Sequence, residues 1–371
     1  MALRGVIERH RRALADRLDA GEDGLSLGRA NARFLAECFD RRFEVASERA
    51  GLPANGMALA AVGSFGRGAV ALRSDADVAL VVNPRSVTIE EASAFAQALL
   101  YPLWDATLAV GHQVLSVDDA VALAQKDLAT ATALLDLRWL AGDPVPLKTL
   151  ISSASEGLFG EEEMATFVDR LAGEGSARHE RFGGSVYLLE PDVKSGAGGL
   201  RDLDGAGWAA RARYRVGDRE DGGRPGAWAE LVRLGVLVSR EADEIAASEE
   251  FLWRVRNRLH ARAGRKSDRL GFEDQEALGA AMGYGDDRAR AAEGLMQDYY
   301  LHARAVTRAH ADLLERLRPK KRLTKPSATV DLGGGVRLFD GRVTISNSAE
   351  LKECPALAVR VFAACVKERV P

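Results

Sequence analysis

Asp75 and Asp77 stand one residue apart at the head of an apolar run, Val78–Val82, and twelve positions before Asp75 lies Gly63-Ser64. In an extended chain, side chains two apart share a face, so the two carboxylates lie side by side. Such neighbours repel unless a cation sits between them. Hard carboxylate oxygens suit Mg²⁺, which is usually shared between a few carboxylates and substrate phosphates. Gly63 has no side chain in the way, so the backbone amides there and the Ser64 hydroxyl can approach a phosphate closely. Two metals can clamp the attacking and leaving oxygens of an in-line displacement. Metal ligands and a phosphate cradle at this spacing are what nucleotidyl transfer requires. A capping serine and two turn aspartates would explain each residue, but not their combination.

These residues need elements to hold them. Ala58–Val62 and Val78–Val82 read as buried strands on either side of the motif, and residues 110–117 as a third. A helix beginning near Thr88 closes with Leu99, Leu100 and Leu103, and Asp118–Leu134 reads as another. The stretch "LLDLRWLAGDP" (134–144) is ambiguous between helix end and strand, with a stop at Gly142-Asp143-Pro144. Upstream, residues 3–18 have helical spacing. So do Ala30, Phe34, Leu35, Cys38, Phe39 and Phe43, before "GLPANG" (51–56) breaks the pattern. From about 150 to 318 the pattern is largely helical, interrupted by glycine-rich 194–199 and by 217–226. The basic 318–326 reads as a linker, and 329–346 as a β-hairpin turning at Asp340-Gly341. The expected fold is α+β. N-terminal helices (1–50) precede a nucleotidyltransferase domain (51–150), a helical domain (151–318), and a linker with β-hairpin (319–371).

The 371 residues, 47% apolar and 28% charged, are enough for two or three domains with a sizeable core. A net charge of -3 argues against general nucleic-acid binding. Cys38, Cys354 and Cys365 form no CxxC pair and suggest neither a disulfide framework nor a zinc site. There is no signal peptide and no apolar stretch of about 18 residues, so the expectation is a cytoplasmic protein without a membrane partner.

Gly63-Ser64 with Asp75-x-Asp77 resembles the signature of the DNA polymerase β-type nucleotidyltransferases. In that superfamily a third carboxylate, flanked by apolar residues on a later strand, completes the metal site. "LLDLRWL" offers Asp136 in that setting and tips the ambiguous segment toward a strand. A second stretch (181–214) is similar to a segment of the bacterial PII uridylyltransferase/uridylyl-removing enzymes. It carries Glu190-Pro191, Lys194, Gly198-Gly199 and Leu200-Arg201-Asp202 in that family's order. "LHARAGRKSDRLGFEDQEALGAAMGY" (259–284) and "MQDYYLHARAV" (296–306) resemble the next blocks. The likeness implies a polymerase β-like domain, a small mixed sheet with helices, followed by a mainly helical one. It also implies transfer of UMP from UTP to a tyrosine of a PII nitrogen-signalling protein, with release of pyrophosphate. Asp75, Asp77 and Asp136 would hold Mg²⁺ (or Mn²⁺), Ser64 and the Gly63 turn would grip the triphosphate, and Asp136 would position or deprotonate the attacking hydroxyl.

Other residues leave alternatives open. Lys194 and Arg201 flank a glycine-rich loop and could reach a triphosphate, or could pair with Glu190 and Asp202 in a structural turn. Arg67 could contact phosphate or form a salt bridge. Arg254, Arg258, Arg262, Arg265 and Arg269 form a basic stripe that reads best as a solvated face with local ion pairs. His112, His260 and His302 lack metal-ligand spacing and read as packing or surface residues. The residues do not identify the base, so adenylyl transfer stays open, as does a silent regulatory module. Ala69 stands where the family usually has an acidic residue, and Ala76 and Ala79 where larger aliphatics are typical. No His-Asp dipeptide occurs in residues 1–371. In the family that the chain resembles, removal depends on a His-Asp domain and glutamine acts at ACT repeats, so the expectation is a chain that transfers UMP but neither removes it nor responds to glutamine.

Overall fold

The computed structural model describes residues 3–50, 55–215, 227–319, 330–339, 342–345 and 354–368. Its centre is a four-stranded mixed sheet of β1 (Met57–Ala61), β2 (Val78–Val82), β3 (His112–Ser116) and β4 (Arg138–Gly142), in the order β3-β2-β1-β4. β1 runs antiparallel to both β2 and β4, and β3 runs parallel to β2. A parallel neighbour needs a crossover, which here contains a helix, Ile89–Asp105. Thr88 and Glu91 start that helix by exchanging hydrogen bonds in a capping box.

Both central strands are buried from end to end, so each residue faces one of two cores. Met57, Leu59, Val78 and Leu80 pack with Phe39, Phe43, Phe95 and Leu99. Ala58, Ala60 and Val81 pack on the opposite face, with Ala120, Ala124, Leu147 and Leu150. Small residues on that second face let helices approach the sheet closely.

In chain order the helices are α1 (Leu3–Asp19), α2 (Gly24–Ala50), the single turn α3 (Gly63–Gly66), and α4, the crossover helix (Ile89–Asp105). They continue with α5 (Val117–Lys126), α6 (Leu128–Leu135), α7 (Pro144–Gly157), α8 (Met164–Arg181) and α9 (Leu200–Tyr214). The last of this body are α10 (Ala227–Arg233), α11 (Ser239–Ala263), α12 (Phe272–Ala281) and α13 (Arg288–Leu317). The segment read as one helix over 118–134 is two, because the Asp127 carboxylate turns back to cap the amide of Thr130. The ambiguous stretch after it is both things: α6 ends at Leu135 and β4 begins at Arg138, leaving Asp136 in the junction. β4 stops at Gly142, and α7 starts at Pro144 with Asp143 as its cap.

The compact unit runs from Met1 to Pro319, so the sheet and the helices share one packed body. A second unit, Lys320–Pro371, contains β5 (Val330–Gly333), β6 (Val336–Phe339) and β7 (Arg342–Ile345) in antiparallel order, with α14 (Ala356–Glu368). This is a three-stranded sheet where the sequence suggested a hairpin. Asp340-Gly341, and the linker from Lys320 onward, lie outside the described residues.

Candidate active site

The chain leaves β1 and turns at Gly63, whose φ of +58° is a left-handed conformation that suits glycine. A Cβ on Gly63 would lie 3.8 Å from Asp77 Oδ2, so the turn and the carboxylate are immediate neighbours. Gly66 presses against the backbone carbonyl of Asp136, where any side chain would overlap. Among the described residues the Ser64 hydroxyl has no hydrogen-bond partner, and Ser64 lines a cavity of about 380 Å³.

Asp75 to Asp77 continue the line of β2 backwards. The Val62 amide donates to Asp77 O (3.0 Å), Ala76 N to Ala109 O (3.0 Å), and Val78 N to Gly111 O (2.9 Å). Ala76 is buried between a half-buried Asp75 and an exposed Asp77, so the two carboxylates emerge on the same side. Gly111 completes the seat, because a Cβ there would collide with Asp77 Oδ1.

The charges around this pair are unevenly settled. Protein packed around Asp77 raises its pKa, and the charge of Asp75 raises it further, against the pull of Lys194 and Lys266. Asp75 Oδ2 accepts from Lys266 Nζ at 2.6 Å. Lys194 lines the same cavity and has no carboxylate partner among the described residues. Burial, then Arg256 and Arg201, push its pKa down to about 8. The cavity thus sets an under-neutralised carboxylate beside an under-neutralised ammonium. A phosphate–metal complex satisfies both. Among the described residues no group of three or more His, Cys, Asp or Glu is arranged to hold a metal. The two aspartates are a number that suits Mg²⁺ when substrate phosphates and water complete its shell.

The segment before Asp75 is held from α2 and α11. Asn31 Nδ2 donates to Val70 O (3.1 Å), and the Leu72 amide donates to Asn257 Oδ1 (3.2 Å). The Arg73 amide donates to His260 Nδ1 (3.2 Å), and Arg256 Nη2 donates to Ser74 Oγ (3.0 Å). Since His260 Nδ1 accepts, its Nε2–H donates to Asp268 Oδ1, 3.0 Å away. Burial lowers the His260 pKa although Asp268 pulls it up, so the ring is neutral at pH 7. Burial favours a protonated Asp268, but His260 and Arg256 outweigh it and hold the carboxyl well below its usual range. The helical region therefore fixes the backbone from which the aspartate pair projects.

Gly63, Ser64, Asp77, Lys194 and Arg201 meet at the cavity, and Asp75 adjoins it through the shared carboxylate face. Lys194 and Arg201 do not pair with Glu190 and Asp202. Those carboxylates hold Arg269 (2.6 Å) and Arg178 (2.8 Å) respectively. Arg201 lies 3.6 Å from Asp204 and over the Trp208 ring. Arg67 reaches the cavity wall, but its guanidinium bridges Asp136 and Asp204.

Asp136 departs from the expectation of a third metal ligand. Its carboxylate is wholly buried and does not line the cavity. It accepts from Arg67, from Arg211 Nη1 (2.8 Å) and from Trp208 Nε1 (3.0 Å). With both oxygens engaged by these donors, Asp136 acts as the anchor between the α6–β4 junction, α3 and α9. The basic stripe is likewise dispersed. α11 ends at Ala263, so Arg265 and Arg269 lie beyond it, while Arg258 pairs with Asp19 and Arg262 with Asp274. His302 bonds Ser248 and stacks on Phe251, and His112 lies near Trp104. Sequence reasoning missed Lys266, Arg256 and Asp268 as neighbours of the pair. Lys266 and Asp268 lie in the family-like stretch 259–284, to which no site role was attached, and Arg256 lies just before it.

Two family models match the chain: GlnD PII-uridylyltransferase over residues 166–314, and the nucleotidyltransferase family DUF294 over residues 8–112. The chain is 35% identical to the bifunctional uridylyltransferase/uridylyl-removing enzyme of Rhodospirillum rubrum, over 82% of this chain and 32% of that protein. It is 32% identical to the enzyme of that name from Novosphingobium aromaticivorans, over 99% of this chain and 40% of that protein. The chain thus spans about a third of the length of the curated relatives it matches. No helix among the described residues is long and apolar enough to cross a membrane. The Gly63-Ser64 turn and the aspartate pair fall within one matched region and Lys194 within the other, and through these two regions the chain is similar to the PII uridylyltransferase/uridylyl-removing enzymes.

Proposed function

We propose that this chain transfers UMP from UTP to a tyrosine hydroxyl of a PII signalling protein, releasing pyrophosphate, in the cytoplasm. The observation that carries the reading is that one cavity is lined by the glycine-serine turn, by Asp77 and by a lysine with no ion-pair partner among the described residues. The attacking oxygen forms a bond to the α-phosphorus, and the bond from that phosphorus to the β-phosphate bridge breaks. Ser64 and the first amides of α3 orient the triphosphate, while Lys194 and Arg201 bind its negative oxygens. Asp75 and Asp77 would hold Mg²⁺, with Mn²⁺ as a substitute. A cation held there supplies Lewis-acid stabilisation of the phosphoryl oxygens. Asp136, enclosed by its donors, is unavailable to the attacking hydroxyl. Asp77 lines the cavity beside the Gly63 turn, and the hydroxyl proton passes to solvent.

The test is incubation with Mg²⁺, each labelled nucleoside triphosphate and a PII protein. Label should enter the PII protein from UTP and only poorly from ATP. Equal labelling from both would replace the uridylyl reading with a broader nucleotidyl transfer. No labelling from any triphosphate by the folded chain would end the enzyme reading.

A further inference from the structure

Lys266 has no part in the reaction as described, yet its ammonium touches one of the two carboxylates assigned to the metal. Its Nζ lies 2.6 Å from Asp75 Oδ2, and its charge also reaches Asp77 and Lys194. The backbone that carries it is fixed. Val193 N donates to Asp268 O (2.8 Å) and Leu270 N donates to Pro191 O (2.9 Å), tying the loop after α11 to the loop that bears Lys194. Asp268, two residues on, is held by Arg256 and His260. The side chain is not fixed in this way: it is 45% exposed, and Asp75 is its only ion-pair partner among the described residues.

A partly exposed cation on a fixed stem, beside a carboxylate pair and a second lysine at the cavity, can exchange one anion for another. We infer that Lys266 is a tethered counter-ion, which neutralises Asp75 until a metal–triphosphate complex enters and then swings onto the triphosphate. Free divalent metal must displace the ammonium unaided. Metal arriving with a triphosphate gives the ammonium a new partner in exchange. Metal loading thereby becomes favoured by nucleotide, and the carboxylate pair holds metal alone only weakly. The inference rests on the nucleotidyl-transfer reading of the site.

The test is Mn²⁺ binding followed by electron paramagnetic resonance. Parent, Lys266→Met and Lys266→Arg proteins are compared, each with and without a non-hydrolysable UTP analogue. The exposed position makes Lys266→Met a mild change for the fold, and circular dichroism checks this. Lys266→Met should bind Mn²⁺ alone at least five-fold more tightly than the parent and bind the analogue several-fold more weakly. Lys266→Arg should restore both values toward the parent. Equal affinity of parent and Lys266→Met for Mn²⁺ alone, with analogue-dependent binding intact in both, would overturn the counter-ion role and leave the nucleotidyl-transfer reading standing. No Mn²⁺ binding by either protein, even with the analogue, would overturn both.

Discussion

Replacing Asp136 by asparagine separates a structural anion from a metal ligand. The buried carboxylate accepts from Arg67 and Arg211, whose side chains are only 18% and 6% exposed. An asparagine of the same shape keeps one acceptor oxygen for the Trp208 indole but turns an amide toward at least one guanidinium. Hydrogen bonds to charged groups contribute about 1.5–3 kcal/mol each, and removing one partner from a buried ion pair costs about 3–5 kcal/mol. Arg67 retains Asp204, and Arg211 retains the carbonyl of Leu135, so the loss falls near the lower end, about 3 kcal/mol. In a unit this large that corresponds to a fall in Tm of roughly 4–5 °C. Asp75→Asn and Asp77→Asn should behave oppositely. Each removes one of two repelling charges, and the Asp75–Lys266 pair is exposed enough to be worth at most about 1 kcal/mol. Both variants should melt with the parent and lose Mn²⁺–triphosphate binding. The assay is scanning calorimetry together with Mn²⁺ titration well below the melting transition. An Asp136→Asn protein that melts with the parent but no longer binds Mn²⁺–triphosphate would refute the anchoring role and restore Asp136 to the metal.

Lys194, with a pKa pushed down to about 8 from 10.5, should lose its charge as pH rises through that value. Triphosphate affinity should then weaken several-fold between pH 7 and 9.5, and a flat profile in Lys194→Gln checks the assignment. The sign for stability is the reverse: the unfolded lysine keeps its proton to higher pH, so this group's contribution to stability rises from about pH 8 to pH 10.5, measurable by urea unfolding across that range. Gly111→Ala places a methyl group on Asp77 Oδ1 at a position with no left-handed φ to strain. Transfer should fall at least ten-fold with little change in Tm, and unchanged transfer rates would contradict the seating of Asp77 against Gly111.

Most of the central fold was legible because its signals are local. The buried strands read at 58–62 and 78–82 occur at Met57–Ala61 and Val78–Val82, and the helix expected from Thr88 starts at Ile89 behind a capping box. Apolar runs bounded by turn residues, and a threonine three places before a glutamate, need no distant partner to be read. The break between α5 and α6 was less visible. Ala-rich helical spacing continues through it, and only the reach of Asp127 to the Thr130 amide marks the stop.

The candidate site divides along the same line. Gly63, Ser64, Asp75 and Asp77 lie within fifteen residues of each other, and their chemistry follows from type and spacing. Asp136 misled for the opposite reason. An aspartate between leucines looks the same in sequence whether it faces a cavity or two arginines. Its partners Arg67 and Arg211 are 69 and 75 positions away and arrive only through packing of α3 and α9. Long-range charge also decides what Lys194 is. In sequence it is a lysine in a glycine-rich loop with acidic residues on both sides. In the fold those acids serve Arg178 and Arg269, and the neighbours left to Lys194 include Arg256 and Arg201. Repulsion from cations that are themselves anchored makes an incoming anion the natural partner for its charge. The helical region thus does more than cover the sheet. It holds the backbone before Asp75 through Asn257, His260 and Arg256, and brings the opposing charge to the carboxylates through Lys194 and Lys266. A nucleotidyltransferase sheet without those helices would carry the aspartates but lack both their support and the cations that face them.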